Sequence, residues 1–153
     1  MAGRLTGHKA LVTGGAGGIG RAIALALARE GADVAVSYLT SAAAARTLVS
    51  KLRGMGVGAI AIRADVRREG QVRHLVDTAA KRLEGLDILV NNAGNYVVKN
   101  VEELSYAAWR DLLDSNVTAA FLCAKYAIPR MRRRGWGRIV SLGAAGAWRT
   151  WSR

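Results

Sequence analysis

Short apolar runs alternate with longer stretches in which apolar residues recur every three or four positions, and this alternation continues from residue 9 to residue 142. A run of four to eight residues rich in Val, Ile and Leu reads as a strand, whereas apolar residues at helical spacing read as one face of a helix. Strands are therefore expected at 9–13 (KALVT), 33–38 (DVAVSY), 57–62, 87–90 (DILV) and 138–142 (RIVSL). Helices are expected over 19–30, 41–55 and 69–83, with a long one running from about 105 towards 134. In the third, Val72, Leu75, Val76, Ala79 and Leu83 fall on one face. Gly31, Gly85, Gly135 and Gly137 stand where helices should stop, and Ser41 is placed as an N-cap.

Strands that alternate with helices of this length imply crossover connections and a parallel sheet. Right-handed crossovers put helices on both faces. The expected fold is an α/β, Rossmann-type doubly wound parallel sheet of about five strands, incomplete at its C-terminal end, with 1–153 as a single domain. In such sheets ligands sit beyond the carboxyl ends of the strands. The strand exits near residues 14, 38, 65, 91 and 143 are the places to look for chemistry.

Composition changes this picture little. Hydrophobic residues make up 51% and charged residues 22%, an ordinary globular balance. One cysteine, Cys123, cannot form an internal disulfide, which fits a reducing, cytoplasmic setting. No signal peptide is read at the N-terminus, and the best apolar stretch, 117–124, is closed by Lys125 and is too short to span a membrane. Charge matters more. The net charge of +12 admits nucleic acid, anionic lipid or an acidic partner, and the densest basic cluster is Arg130, Arg132, Arg133, Arg134 and Arg138. Arginines spread over solvated helix faces are the blander explanation. The cluster lacks interleaved aromatics for base stacking, so neither a nucleic acid nor a membrane is the expected partner.

The first strand exit reads Thr13-Gly14-Gly15-Ala16-Gly17-Gly18-Ile19-Gly20. Glycines between a strand and a helix let backbone approach a pyrophosphate, and the helix N-terminus adds free N–H groups and the positive end of its dipole. A tight turn with no ligand would also use glycine. Asn91-Asn92-Ala93-Gly94 leaves the fourth strand, as turn residues or as small groups admitting a ribose. Asn116 falls within an apolar stripe of Trp109, Leu112, Leu113, Val117, Ala120 and Phe121, so a buried amide in need of partners is expected there.

Thr13-Gly14-x-x-x-Gly18-Ile19-Gly20 resembles the fingerprint of the short-chain dehydrogenase/reductase family, and the resemblance continues in register. Asp65-Val66 matches the family's pair near the adenine. Asn91-Asn92-Ala93-Gly94 matches its Asn-Asn-Ala-Gly motif, Asn116 its helix Asn, and Gly137-Arg138-Ile139-Val140 the entry to its catalytic-Ser strand. The overall texture is similar to its 3-oxoacyl-(acyl-carrier-protein) reductases and sugar-alcohol dehydrogenases. The resemblance implies an NAD(P)-dependent oxidoreductase that moves hydride between the nicotinamide and a carbonyl or alcohol, possibly a 3-oxoacyl thioester. The substrate would be a small molecule or carrier-bound, and full-length relatives would be homo-oligomeric. It assigns cofactor contacts to Thr13, Gly14, Gly18, Ile19, Gly20, Asp65, Val66, Asn92, Ala93 and Gly94. It makes Asn116 a holder of the water in a proton relay. No metal is implied.

An acid at the end of the second strand would hold the ribose 2′-OH of NAD. Tyr38 stands there instead, followed by Leu39, Thr40 and Ser41, whose hydroxyls suit a phosphate. NADP is therefore the expected cofactor, with NAD the alternative. The family's proton donor, Tyr-x-x-x-Lys, does not follow the fifth strand, and Ala144 stands where its Ser is expected; Ser141, three residues earlier, is the substitute candidate. The chain reads as truncated before that pair and poorly active alone. A non-catalytic nucleotide-binding fragment is the other reading, and a basic nucleic-acid binder a third.

Overall fold

A computed structural model describes residues 3–143, and Ala144 lies outside the described residues. The apolar runs form β1 (Lys9–Val12), β2 (Asp33–Tyr38), β3 (Ala59–Arg63), β4 (Ile88–Asn91) and β5 (Arg138–Ser141). All pair in parallel, in the order β3-β2-β1-β4-β5. The chain builds outward from β1 through β2 to β3 and then crosses to β4. The strand order therefore reverses between β1 and β4, where a crevice opens at the carboxyl ends.

Side chains in a strand alternate between faces, and β2 shows the consequence. Val34 and Val36 join one core with Ala10, Val12 and Leu48, whereas Ala35 joins the other with Leu11, Leu75 and Leu89. Helices α1 (Gly18–Arg29) and α2 (Ala42–Gly54) cover the first face. Helices α3 (Glu69–Arg82) and α5 (Ala119–Arg134) cover the second, through Val72, Leu75, Val76 and Ala79 on α3 and Leu122, Cys123, Ala127 and Met131 on α5. Full burial of each such Leu or Val contributes about 1.5–3 kcal/mol. Cys123 is 1% exposed, and burial pushes its thiol up to about 12.

Several element ends move from their expected positions. β3 starts at Ala59 rather than 57, because the Gly58 N–H is taken by the Asp33 carboxylate at the sheet edge and the ladder begins with Ala59 opposite Val34. Ser41 stands at the N-cap of α2 as expected, but its hydroxyl makes no capping bond, its backbone lying at φ −85° and ψ 55°. Ser105 does cap: its hydroxyl oxygen accepts from the Ala108 N–H at 3.2 Å.

The long helix after residue 105 is interrupted. α4 (Tyr106–Leu113) passes through a π-helical turn (Asp114–Thr118) into α5. Inside that turn the Asn116 amide donates to the Leu112 carbonyl at 2.9 Å, and the Ser115 hydroxyl donates to the same oxygen at 3.3 Å. Side chains thus satisfy a carbonyl within the widened turn. Gly135, at φ 71°, ends α5 in the left-handed conformation that glycine adopts without steric cost. β5 is exposed along its whole length.

Candidate functional site

The exits of β1 and β4 lie side by side, and one threonine and one asparagine bind them together. Thr13 is 2% exposed, and its hydroxyl oxygen accepts from the backbone N–H of both Asn92 and Ala93 at 3.0 Å. In return the Asn92 amide donates to the carbonyls of Thr13 at 2.9 Å and Gly14 at 3.1 Å. A second strand holds the other side of the loop: the Gly14 N–H donates to the Ser37 hydroxyl at 3.1 Å and the Gly15 N–H to the Ser37 carbonyl at 3.0 Å. Ser37 was not anticipated as a site residue. Its signal was present, because a hydroxyl in the apolar run of β2 demands a buried partner.

This bracing leaves no room for a side chain at Gly15 or Gly20. A Cβ at Gly20 would lie 2.4 Å from the Asn92 amide nitrogen and 2.6 Å from the Gly14 carbonyl oxygen. Gly14 at φ +62° and Gly18 at φ +52° occupy the left-handed region. Gly17 caps α1 with no side-chain bond. The first-turn N–H groups of α1 therefore carry no cap, and such groups have no partner within their own helix. An uncapped helix start behind a close-packed glycine loop fits an anionic, pyrophosphate-like group.

A cleft of about 300 Å³ runs from this loop along the strand ends. Gly14, Tyr38, Asp65, Val66, Ala93 and Gly94 line it, so six of the expected residues converge there. Gly18, Ile19 and Gly20 stand at the start of α1, while Thr13 and Asn92 shape the loop from behind. Thr40 and Ser41 are exposed beyond β2 and do not line the cleft. Ser141 is likewise outside it; its hydroxyl accepts from the Asn91 amide at 3.2 Å.

Asn116 is exposed, contrary to the buried amide expected of it. The stripe to which it was assigned itself faces outward, with Val117 and Phe121 each 62% exposed. The Asn116 amide nitrogen is nevertheless engaged, donating to the Asn95 carbonyl at 2.8 Å as well as to Leu112. Gly94 passes so close that a Cβ there would lie 2.4 Å from the Asn116 amide oxygen. Asn116 therefore fastens the segment leaving β4 to the helix that follows.

Arg67 is a further residue that spacing alone did not reveal. It donates to both carboxylate oxygens of Asp65, at 2.9 and 2.8 Å, and to Asp111 on α4 at 2.5 Å. Hydrogen bonds from Arg67 hold the Asp65 carboxyl below the usual carboxylate range, against the opposing effect of its partial burial. The Arg67 guanidinium is raised in turn. Nothing in the local sequence around Asp65 points to Asp111, which the fold brings in from α4.

The family model described as short chain dehydrogenase matches residues 8–151. The chain belongs to the short-chain dehydrogenase family. A 3-oxoacyl-(acyl-carrier-protein) reductase, FabG, of Staphylococcus aureus is 38% identical over 135 residues, which are 88% of this chain and 55% of that protein. The short-chain dehydrogenase of Burkholderia cenocepacia, solved in complex with NADP, superposes with a TM-score of 0.91 at 41% identity, over 97% of this chain and 60% of that one. A 7α-hydroxysteroid dehydrogenase, solved with NADH and 7-oxo glycochenodeoxycholic acid, gives a TM-score of 0.91 at 35% identity, over 96% of this chain and 57% of that one. This short-chain dehydrogenase chain thus spans a little over half the length of the relatives it matches.

Proposed function

We propose that this chain is the dinucleotide-binding part of an oxidoreductase that moves hydride between a nicotinamide cofactor, NADP by preference, and a carbonyl or alcohol substrate. The observation that carries this reading is the glycine loop held by Thr13, Ser37 and Asn92, with no space for a Cβ at Gly20. Gly14, Gly18, Ile19 and Gly20 would receive the pyrophosphate, Tyr38, Thr40 and Ser41 the adenosine ribose side, and Asp65 and Val66 the adenine. Ala93 and Gly94 would border the ribose, with Asn92 holding the loop. Asn116 and Ser141 belong to the catalytic end, where Asn116 would hold a water through its fixed amide. The bound nicotinamide supplies the hydride. A 3-oxoacyl group on an acyl-carrier protein is the favoured substrate class, by likeness to the S. aureus reductase.

The same reading places the protein in a reducing, cytoplasmic setting, as its one buried thiol allows. Exposed Tyr106, Trp109, Val117 and Phe121 on the α4–α5 segment favour a homo-oligomer. No helix among the described residues is long and apolar enough to cross a membrane.

Residues 1–153 contain no Tyr-x-x-x-Lys, so binding rather than turnover is the measurement that tests this reading. Titration of the chain followed by nicotinamide fluorescence should saturate with NADPH, and with NADH more weakly. Gly20→Ala should weaken both about tenfold or more, because the new methyl displaces the Asn92 amide. A wild-type chain that binds neither dinucleotide would sink the proposal.

A further inference from the structure

The interval between the second and third strand exits has an unusual charge pattern. No Asp or Glu occurs between Asp33 and Asp65, whereas Arg46, Lys51, Arg53 and Arg63 all do. The exit of β2 consequently presents no carboxylate to a ribose hydroxyl. The neighbouring strand supplies a cation instead. Arg63 is the last residue of β3 and pairs in register with Tyr38, the last of β2. The two exits are pinned together, since the Ala64 N–H donates to the Tyr38 carbonyl at 2.9 Å. From there the Arg63 Nε donates to the Leu39 carbonyl at 3.2 Å. Tyr38, Leu39 and Ala64 line the cleft, and this bond holds the Arg63 guanidinium beside them, just outside the lining.

Arg63 differs from Arg67, which lines the cleft. Arg67 is neutralised by Asp65 and Asp111, with charge-assisted bonds to both. Arg63 has no ion-pair partner among the described residues, and one neutral carbonyl is the acceptor recorded for it. Its Nη1 and Nη2 groups are free among those residues, in the planar fork that suits phosphate oxygens.

We infer that Arg63 is the residue that receives the 2′-phosphate of NADP and sets this chain's preference for the phosphorylated dinucleotide, given the dinucleotide reading above. The selecting cation comes across the sheet from β3 rather than along the chain from β2.

The test is the ratio of dissociation constants for NADH and NADPH, measured by calorimetric titration of wild type, Arg63→Ala and Arg63→Lys. Wild type should favour NADPH. Arg63→Ala should weaken NADPH about 10- to 100-fold, the range for losing a hydrogen bond to a charged group, while NADH shifts less than about threefold. Arg63→Lys should recover part of the preference, because a single ammonium replaces the fork. Arg63 is exposed, so each variant should melt close to wild type. Equal weakening of both dinucleotides in Arg63→Ala, or an unchanged ratio, would overturn the assignment of Arg63 alone. A wild type that favours NADH would also overturn it, and one that binds neither would remove the dinucleotide reading beneath it.

Discussion

At the scale of single residues, Thr13 ties the exit of β1 to that of β4 with one hydroxyl. It accepts from two N–H groups at the β4 exit and donates to the Val90 carbonyl at 3.4 Å. Valine has the same shape but would leave two inward-facing donors unpaired, at about 1–3 kcal/mol each. Thr13→Val should therefore lower stability by about 2–4 kcal/mol in urea unfolding, and Thr13→Ser should restore most of it. A valine variant as stable as wild type would mean that the hydroxyl is not the brace. The glycines and the Asn-Asn-Ala-Gly segment were legible as a ligand loop. The bracing was not, because Thr13 and Asn92 are 79 positions apart and only the parallel pairing of β1 with β4 brings them together. The same reason hid Arg67 and Asp111, whose partnership spans 44 positions.

At the scale of elements, the apolar runs marked all five strands of the described sheet, and boundary shifts of one or two residues came from turn chemistry at their ends. The long helix was the hard case. A π turn inserts about one residue, and one residue corresponds to about 100° of helix rotation. The stripe drawn from Trp109 through Phe121 therefore faces outward: Trp109, Val117 and Phe121 are 48%, 62% and 62% exposed, while Ala119, Leu122 and Cys123, which lie outside it, turn inward. Asn116 lies on that outward face, which is why its burial was misjudged. α3 shows the opposite outcome, its uninterrupted 3.6-residue period burying the four residues from Val72 to Ala79 that the pattern selected. Leu75 is fully buried between α3, α5 and the sheet. Leu75→Ala should cost about 2–5 kcal/mol with little change in the shape of the unfolding transition. A loss below about 1 kcal/mol would mean that the α3–α5 layer collapses around the cavity.

At the scale of the whole molecule, a net charge of +12 is accommodated by dividing the basic cluster between two roles. Arg130 pairs with Asp77, and Arg134 reaches Asp87, whose side chain is 2% exposed, at 2.5 Å. Arg138 lies over the Trp136 ring at 4.8 Å. Arg132 and Arg133 are exposed. Reversing both as Arg132→Glu with Arg133→Glu should change stability by no more than about 0.5 kcal/mol. Arg134→Ala should cost several times more, because it strips a donor from a buried carboxylate. Equal effects in thermal melts would show that the division is not real. The sequence located this cluster but could not apportion it, since Asp77 and Asp87 face it only once α3 and the start of β4 pack beside α5. The sealed layer between those helices also has a practical consequence. Cys123 sits inside it as a thiol that burial keeps protonated, so an aqueous disulfide reagent reaches the sulfur only when α5 lifts from α3. Its labelling rate is then the frequency of that opening weighted by the chemistry of the exposed thiol, and this one side chain serves as a clock for native-state breathing.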